Sequence, residues 1–211
     1  MKKLKDSFTD IYKTNSWGSP ESIPNRLNKI FYSGGGTDPE NDKDNKYINL
    51  VQSYVDREDV KTVVEIGCGD WEVSSKINWS TVDYTGYDVV DDLIKYNNQN
   101  YSKSNIRFIC DTDVMSQNNL EADLIIIKDV IQHLPPKFCS DFVRTIPTKF
   151  KYNIITNDFS LSNVDIEFGG YSGNDFSKEP FDMKFNLFFV WQQKFQESGF
   201  KITLQLESTN F

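Results

Sequence analysis

The sequence predicts an α/β fold in which a mostly parallel sheet of seven strands carries helices on both faces. From Lys61 onward, short apolar, β-branched runs alternate with helix-length polar segments, and this alternation is typical of a parallel sheet. One run, residues 124–127, is apolar at every position, as a central strand buried on both faces should be. The expected strands are residues 62–66, 84–87, 106–110, 124–127, 152–156, 185–191 and 201–207.

Helices are expected before the sheet and between its strands. Residues 1–13 can form an amphipathic N-terminal helix, and residues 39–55 place apolar side chains at the i, i+3, i+4, i+7 spacing of a second one. Between the strands, residues 71–78, 90–99 and 136–149 have helical length. The last two strands predict a terminal antiparallel pair, although residues 188–198 fit a helix equally well.

Composition limits the classes of function. A chain of 211 residues suits one domain, and 31 acidic against 23 basic residues argue against a large nucleic-acid interface. Three widely spaced cysteines suggest neither a disulfide framework nor a zinc site. We find no signal-peptide pattern and no apolar run of membrane-spanning length, so we expect a cytoplasmic protein without a membrane span. The oligomeric state stays open.

A tight turn follows the first strand, in residues 65–70 (EIGCGD). Glycines at 67 and 69 would let the backbone turn sharply and let a ligand approach it. Alone, the run could equally be a plain strand-to-helix turn. A dinucleotide site would need a third glycine where Glu72 stands, and that carboxylate would face a pyrophosphate unfavourably.

Acidic residues close the next two strands. Asp88 lies about twenty residues after the glycines, where a carboxylate can accept hydrogen bonds from both hydroxyls of a ribose. It could equally cap the following helix. Residues 110–113 (CDTD) end the third strand, where a carboxylate and neighbouring backbone groups could hold an adenine ring.

In order and spacing, residues 63–70, 87–88, 110–111 and 122–129 resemble motifs I to IV of class I S-adenosylmethionine-dependent methyltransferases. The resemblance implies a Rossmann-like fold, S-adenosylmethionine as cofactor, S-adenosylhomocysteine as product, and methyl transfer as the reaction. A sulfonium cofactor has no phosphates, so Glu72 is no obstacle to it. The predicted cofactor-binding residues are Trp17, Ser33, Gly34, Glu65, Gly67, Cys68, Gly69, Asp70, Asp88, Val89, Asp111, Thr112, Asp113 and Lys128.

The family pattern assigns roles within this set. It implies that Glu65, Gly67 and Gly69 border the methionine and ribose parts and that Asp88 holds the ribose. Asp111 with Thr112 would hold the adenine, and Val89 would pack on one face of it. The pattern makes only one of Asp111 and Asp113 a ligand.

The predicted catalytic residues are His133, Asp129 and Asp158. Residues 128–135 follow the central strand, where the family's active-site residues commonly lie. Methyl transfer needs an aligned acceptor and, for a hydroxyl, removal of a proton. His133, the only histidine, suits a base near neutral pH, or it could simply pack the loop before Pro135. Asp129 could bind an acceptor hydroxyl, orient the methionine amine or steer His133.

The same acidic residues could instead ligate a metal. Asp129, Asp158 and Asn157 offer oxygen ligands, and His133 offers a nitrogen. The sequence has no dedicated ligand spacing, so a divalent metal is allowed but no metal site is predicted.

A narrower resemblance concerns the acceptor. Residues 17–19 (WGS), 33–37 (SGGGT), 67–71 (GCGDW) and 128–134 (KDVIQHL) are together similar to small bacterial and viral methyltransferases found among surface-polysaccharide genes. The similarity spans about residues 15–190, with Gly36-Thr37 replacing the usual Gly-Ser and a looser match in residues 160–182. It implies O-methylation of a sugar hydroxyl in a surface glycan or its precursor.

Several alternatives accompany this hypothesis. The glycine-rich turn at residues 33–37 could hold the methionine carboxylate through backbone N–H groups or could be a linker. The acceptor could be another small molecule, methylated on oxygen or nitrogen, or the chain could be a non-catalytic cofactor-binding module. Five aromatic residues could stack on sugar faces: Trp17, Trp71, Tyr171, Phe176 and Phe181.

We expect one methyltransferase domain with four parts. Residues 1–58 form a helical extension over the cofactor, and residues 59–158 form the cofactor-binding core. Residues 159–182 form an acceptor lid, and residues 183–211 form a terminal hairpin.

Overall fold

The structure is a computed structural model that describes residues 2–19, 30–35, 45–192 and 200–207. Two helices, α1 and α2, precede a sheet whose strands β1–β5 are separated by α3 and α4 and followed by β6 and β7. The elements are α1 (Lys2–Lys13), α2 (Lys46–Val55), β1 (Thr62–Ile66), β2 (Asp83–Asp88), α3 (Asp91–Tyr101), β3 (Ile106–Cys110), β4 (Leu124–Lys128), α4 (Pro136–Lys149), β5 (Tyr152–Asp158), β6 (Lys184–Gln192) and β7 (Phe200–Glu207).

The seven strands form one sheet in the order β3-β2-β1-β4-β5-β7-β6. Strands β1 to β5 pair in parallel, and β7 runs antiparallel to both β5 and β6. The predicted fold class is therefore confirmed. The strand order reverses between β1 and β4, and this switch opens a crevice at the carboxyl ends of those strands.

The core lies on both faces of the sheet because successive strand residues point in opposite directions. Val64 and Ile125 belong to an apolar cluster that includes residues of α1 and α4. Their neighbours Val63 and Ile126 belong to a second cluster, which includes residues of α2. Strand β4 is buried at all its positions, as its apolar run at residues 124–127 predicts, and the charged Lys128 at its end is buried as well.

Two expected helices differ from the observed elements. Residues 71–78 contain only a short 3₁₀ turn (Ser74–Lys76), because Trp71 has a left-handed φ of 56° and Ile77 is extended. The second helix starts at Lys46, since Asn45 is also left-handed, with φ 52°, and cannot lie inside a right-handed helix. Its expected beginning at residues 39–44 lies outside the described residues.

The end of the chain forms the predicted antiparallel strand pair, β6 and β7, rather than the alternative helix. Residues 188–192 belong to β6, and the rest of the alternative helix, residues 193–198, lies outside the described residues. Between β5 and β6, residues 159–183 form an irregular connecting segment. Within the ranges that the structure describes, no helix is long and apolar enough to cross a membrane.

Candidate functional site

A cavity of about 260 Å³ opens at the carboxyl ends of the parallel strands, where the strand order reverses. Its wall includes residues from α1, from the ends of β1, β2, β4 and β5, from the start of β7 and from the connecting segment. A single crevice of this kind is the usual ligand site of such folds. The predicted residues that line it are Trp17, Ser33, Gly34, Gly67, Gly69, Asp88, Val89, Asp111, Thr112, Lys128, Asp129, His133 and Asp158.

The turn after β1 requires its two glycines. Gly67 and Gly69 have φ values of 69° and 54°, which side chains with a Cβ rarely adopt. A Cβ on Gly67 would stand 2.3 Å from Val130 Cγ2, and one on Gly69 would stand 2.6 Å from Ser33 Oγ. The turn therefore depends on glycine both for its backbone conformation and for space.

Asp88 faces the cavity beside this turn. Its Oδ2 accepts a hydrogen bond from the Gly69 amide at 3.1 Å, and its Oδ1 accepts one from the Val90 amide at 3.1 Å. Burial raises the pKa of this carboxyl to about 6. Val90 rather than Asp88 is the N-cap of α3. Because a carboxylate offers about four acceptor positions, Asp88 retains capacity for ligand hydroxyls.

The end of β3 forms the next part of the wall. Asp111 and Thr112 line the cavity, whereas Asp113 does not. The Asp111 carboxylate accepts the Asp113 amide at 2.7 Å and the Gln117 side-chain amide. Within the described residues, Asp113 Oδ1 is buried without a hydrogen-bond partner. Apolar side chains of Val89, Val114 and Met115 complete this part.

The N-terminal helix covers the cavity and is tied to the glycine turn. The Tyr12 hydroxyl lies 2.7 Å from Ser33 Oγ, which also accepts the Asp70 amide at 2.8 Å. The Ser33 amide in turn donates to Asp70 Oδ2 at 3.1 Å. The backbone of Ser33, Gly34 and Gly35 lies at the cavity, while Gly36 and Thr37 of the predicted anion-binding turn fall outside the described residues.

Glu65, Cys68, Asp70 and Asp113 do not reach the cavity wall. Glu65 lies beneath the turn, where its carboxylate accepts hydrogen bonds from the Tyr84 hydroxyl and from Ser74 Oγ at 2.9 Å. Burial raises its pKa to about 7. Cys68 packs in the core and Asp70 holds Ser33 in place. Direct contact of these four residues with a cofactor stays a prediction.

A buried group of charges lines the part of the cavity formed by the ends of β4 and β5 and the start of β7. Asp129, with φ 59°, binds Lys128 Nζ at 2.5 Å through Oδ2 and binds Lys201 Nζ through Oδ1. Lys201 Nζ also stands 3.9 Å from Asp158 Oδ1. All four side chains are less than a tenth exposed. The two ammonium groups hold the pKa of Asp129 well below its usual range, so this carboxyl is ionised.

Lys201 and Tyr12 are among the residues of the cavity wall that the sequence did not indicate. Lys201 comes from β7, and no motif marks it; a lysine between apolar strand residues was the available signal. Tyr12 belongs to the N-terminal helix, whose amphipathic pattern indicates an apolar face but not that this face covers the cavity as well as the core.

His133 lines the cavity, and its Nε2 lies 3.5 Å from the side-chain amide nitrogen of Gln132. Its Nδ1 lies 2.8 Å from the Gly170 carbonyl oxygen, and because a carbonyl only accepts, Nδ1 carries the proton and Nε2 the lone pair. Burial lowers the pKa of His133 below its usual 6.5, which keeps the ring neutral at neutral pH. The ring lies between Trp17, with centroids 4.9 Å apart, and Tyr171, with centroids 5.9 Å apart.

Backbone hydrogen bonds attach the connecting segment to this end of the cavity. The Gly169 and Ser172 amides donate to the carbonyl oxygens of His133 and Gln132, both at 2.9 Å. Of the five aromatic residues predicted for sugar stacking, Trp17 and Tyr171 line the cavity. Trp71, Phe176 and Phe181 are instead buried in the core and do not line the cavity, which corresponds to the alternative that they are core residues. Among the described residues, no group of three or more His, Cys, Asp or Glu side chains is placed to hold a metal ion.

Comparison with known proteins supports the fold. No protein-family model matches the chain, and no curated protein matches it in sequence. Solved structures do match. The magnesium protoporphyrin IX methyltransferase ChlM from Synechocystis PCC 6803, with bound SAH, is 14% identical with a TM-score of 0.56, over 80% of this chain and 84% of that one.

Two further structures have similar scores. TehB from Haemophilus influenzae is 17% identical with a TM-score of 0.56, over 77% of this chain and 62% of that one. The methyltransferase domain of bacterial CtHen1-C is 15% identical with a TM-score of 0.51, over 78% of this chain and 98% of that one. Together with the sheet topology, these likenesses establish the Rossmann-like fold of class I methyltransferases.

Proposed function

We propose that this protein is an S-adenosylmethionine-dependent methyltransferase that methylates a sugar hydroxyl of a surface glycan or of its precursor. One observation carries the proposal: the His133 ring, whose Nε2 holds the lone pair and lies 3.5 Å from the Gln132 side-chain amide, lines the same cavity as the glycine turn and Asp88. A cofactor crevice and a base for a hydroxyl acceptor thus belong to one site.

The cavity fits the cofactor by its chemistry. The missing Cβ atoms of Gly67 and Gly69 leave the backbone open to close approach. Asp88, oriented by two backbone amides, would accept hydrogen bonds from the ribose hydroxyls. Val89 with its apolar neighbours would enclose the adenine, whose polar edge would meet Asp111 and Thr112. Asp111 is the more suitable adenine ligand of the two candidates, since Asp113 lies off the wall.

Proton transfer in the proposed mechanism belongs to His133. When bound, S-adenosylmethionine would supply an electrophilic methyl group for transfer to the acceptor oxygen, leaving S-adenosylhomocysteine as the product. His133 Nε2 takes the hydroxyl proton, and the Nδ1–H bond to the Gly170 carbonyl keeps the ring oriented and stabilises its protonated form. Asp129, engaged by two lysines, keeps that end of the cavity preorganised rather than acting as the base.

The acceptor end has the groups that bind sugars. Trp17 and Tyr171 supply aromatic faces, and Asp158 and Lys201 supply a hydrogen-bond acceptor and a donor. The net charge of −8 works against a polyanionic acceptor such as RNA. These features agree with the polysaccharide association that the narrower sequence resemblance implies.

Calorimetry with S-adenosylhomocysteine tests the cofactor part. Asp88→Ala should weaken binding by about 10- to 100-fold, the cost of losing hydrogen bonds to a charged group. Asp83→Ala is the matched control, because Asp83 is exposed at the opposite end of the same strand, and it should bind normally. Absence of binding by the unaltered protein, or equal binding by both variants, would refute the assignment.

Transfer of a radiolabelled methyl group to a panel of free and nucleotide-linked hexoses tests the acceptor part. His133→Ala should lower kcat by about 10²- to 10⁴-fold, as expected for loss of a general base, while binding of S-adenosylhomocysteine persists. Full turnover by this variant would favour a nitrogen acceptor instead. Cofactor binding without transfer to any acceptor would favour the non-catalytic module, and loss of activity with chelator would restore the metal alternative.

A further inference from the structure

Asp158 and Lys201 form an unusual pair at the acceptor end of the cavity. They are directly opposed residues of the antiparallel strands β5 and β7. Opposite charges in that position normally attract each other, and both side chains are less than a tenth exposed. Nevertheless Lys201 Nζ and Asp158 Oδ1 stand 3.9 Å apart, which is too far for a hydrogen bond.

Other contacts hold the two charged groups apart. The Lys201 ammonium donates to Asp129 Oδ1, and the Tyr171 hydroxyl donates to Asp158 Oδ2 at 2.7 Å. The adjoining residues fix the strand register, since the Phe159 amide donates to the Phe200 carbonyl at 3.0 Å and their rings stack 5.0 Å apart. The separation is therefore built into the site.

This gap has the dimensions and chemistry of a hydroxyl-binding position. An ammonium has three donors and a carboxylate about four acceptor positions, so both groups can form a further hydrogen bond. A hydroxyl both donates and accepts, and an oxygen about 2.8 Å from each atom fits between groups 3.9 Å apart. The two lysines and two aspartates of the buried group of charges balance in charge, so the group offers no net attraction to an anionic or a cationic ligand.

We propose that a second, unmethylated hydroxyl of the acceptor bridges Lys201 Nζ and Asp158 Oδ1 while the reacting hydroxyl meets His133 Nε2. This inference rests on the proposed function. Tyr171 joins the two positions, because its ring contacts His133 and its hydroxyl binds Asp158. The acceptor class is thus a cyclic polyol with at least two free hydroxyls on one ring, and Lys201 is a specificity-determining residue.

A deoxy-sugar scan tests the inference without altering the protein. For a hexose that accepts the methyl group, each remaining ring hydroxyl is removed in turn, and kcat/KM is measured for each monodeoxy analogue. One deletion away from the methylated position should lower kcat/KM by about 100-fold, because it removes hydrogen bonds to two charged groups. A loss below about threefold for every deletion would overturn the inference while leaving the proposed function intact.

Substitution of Lys201 links that hydroxyl to the gap. Lys201→Met keeps the approximate length of the side chain but removes its donors, so kcat/KM for the parent sugar should fall by about 100-fold. The kcat/KM for the deoxy analogue that lacks the critical hydroxyl should change little relative to its value with the unaltered protein. Lys201→Arg should restore part of the discrimination, meaning the ratio of kcat/KM for the parent sugar to that for the critical deoxy analogue. Lys184→Met, an exposed control on β6, should leave this ratio unchanged. Full discrimination by Lys201→Met would overturn the inference. If protein that binds S-adenosylhomocysteine methylates no diol of the panel, both proposals are overturned.

Discussion

Replacing Glu65 with glutamine should remove a large part of the pH dependence of stability. The carboxyl is buried beneath the glycine turn, and burial raises its pKa from 4.5 to about 7. The native state therefore binds this proton more tightly than the unfolded state does. The resulting stability is fully present below about pH 4.5 and is lost as the pH rises through about 7.

The size of the effect follows from the shift. At about 1.36 kcal/mol per pKa unit, a rise from 4.5 to about 7 corresponds to about 3 kcal/mol. Glutamine resembles the protonated carboxyl and can still bond to Tyr84 and Ser74. The free energy of unfolding of Glu65→Gln, relative to the unaltered protein, should thus increase by about 3 kcal/mol between about pH 4.5 and pH 8.

Urea unfolding at several pH values measures this difference. Glu121→Gln, at an exposed position, is the control and should run parallel to the unaltered protein. A constant difference between Glu65→Gln and the unaltered protein across this pH range would refute the assignment of a buried, proton-retaining carboxyl. The same variant tests the predicted cofactor contact: because Glu65 lies off the cavity wall, S-adenosylhomocysteine affinity should change by less than about tenfold.

Three further predictions concern the cavity. Gly67→Ala should lower the free energy of unfolding by about 2–4 kcal/mol, because it adds left-handed backbone strain and a clash with Val130. Adding Val130→Ala should relieve the clash but not the strain, and urea unfolding of the single and double variants measures both effects. The rate of methyl transfer should fall as the pH drops below the lowered pKa of His133, itself below 6.5, and an acid limb starting above 6.5 would contradict the burial of that ring. Binding of S-adenosylhomocysteine should weaken by about tenfold per pH unit below about 6, where Asp88 gains a proton, whereas Asp88→Asn should bind with no such dependence in calorimetry.

Local patterns predicted much of the sheet because its elements follow from short-range periodicity. The continuous apolar run of β4 and the alternation of apolar and polar segments identified the strands to within one or two residues in most cases. The prediction of a helix over residues 71–78 was wrong because Trp71 has a left-handed backbone conformation, which its residue type does not indicate. Tertiary packing of its indole against Tyr84 and Phe108 accompanies that conformation.

Within the site, residues at strand ends were predictable and residues that arrive from distant elements were not. Asp88, Asp111 and Asp129 follow directly from the strands that present them, because parallel strands end at the same edge of a sheet. Lys201 and Tyr12 reach the cavity from β7 and α1, at the two ends of the chain. Their placement depends on strand order and helix docking, which single-sequence periodicity does not contain.

By itself, the sequence determined the α/β class, the glycine turn and the acidic residues around it, since each follows from spacing along one stretch of chain. Only the tertiary structure decided how those groups act. It gave His133 a proton on Nδ1 through the distant Gly170 carbonyl and placed Glu65 under the turn rather than in the cavity. It also set Lys201 Nζ and Asp158 Oδ1 3.9 Å apart. That separation depends on hydrogen bonds to Tyr171 in the connecting segment and to Asp129 after β4, which lie far from both residues in the sequence.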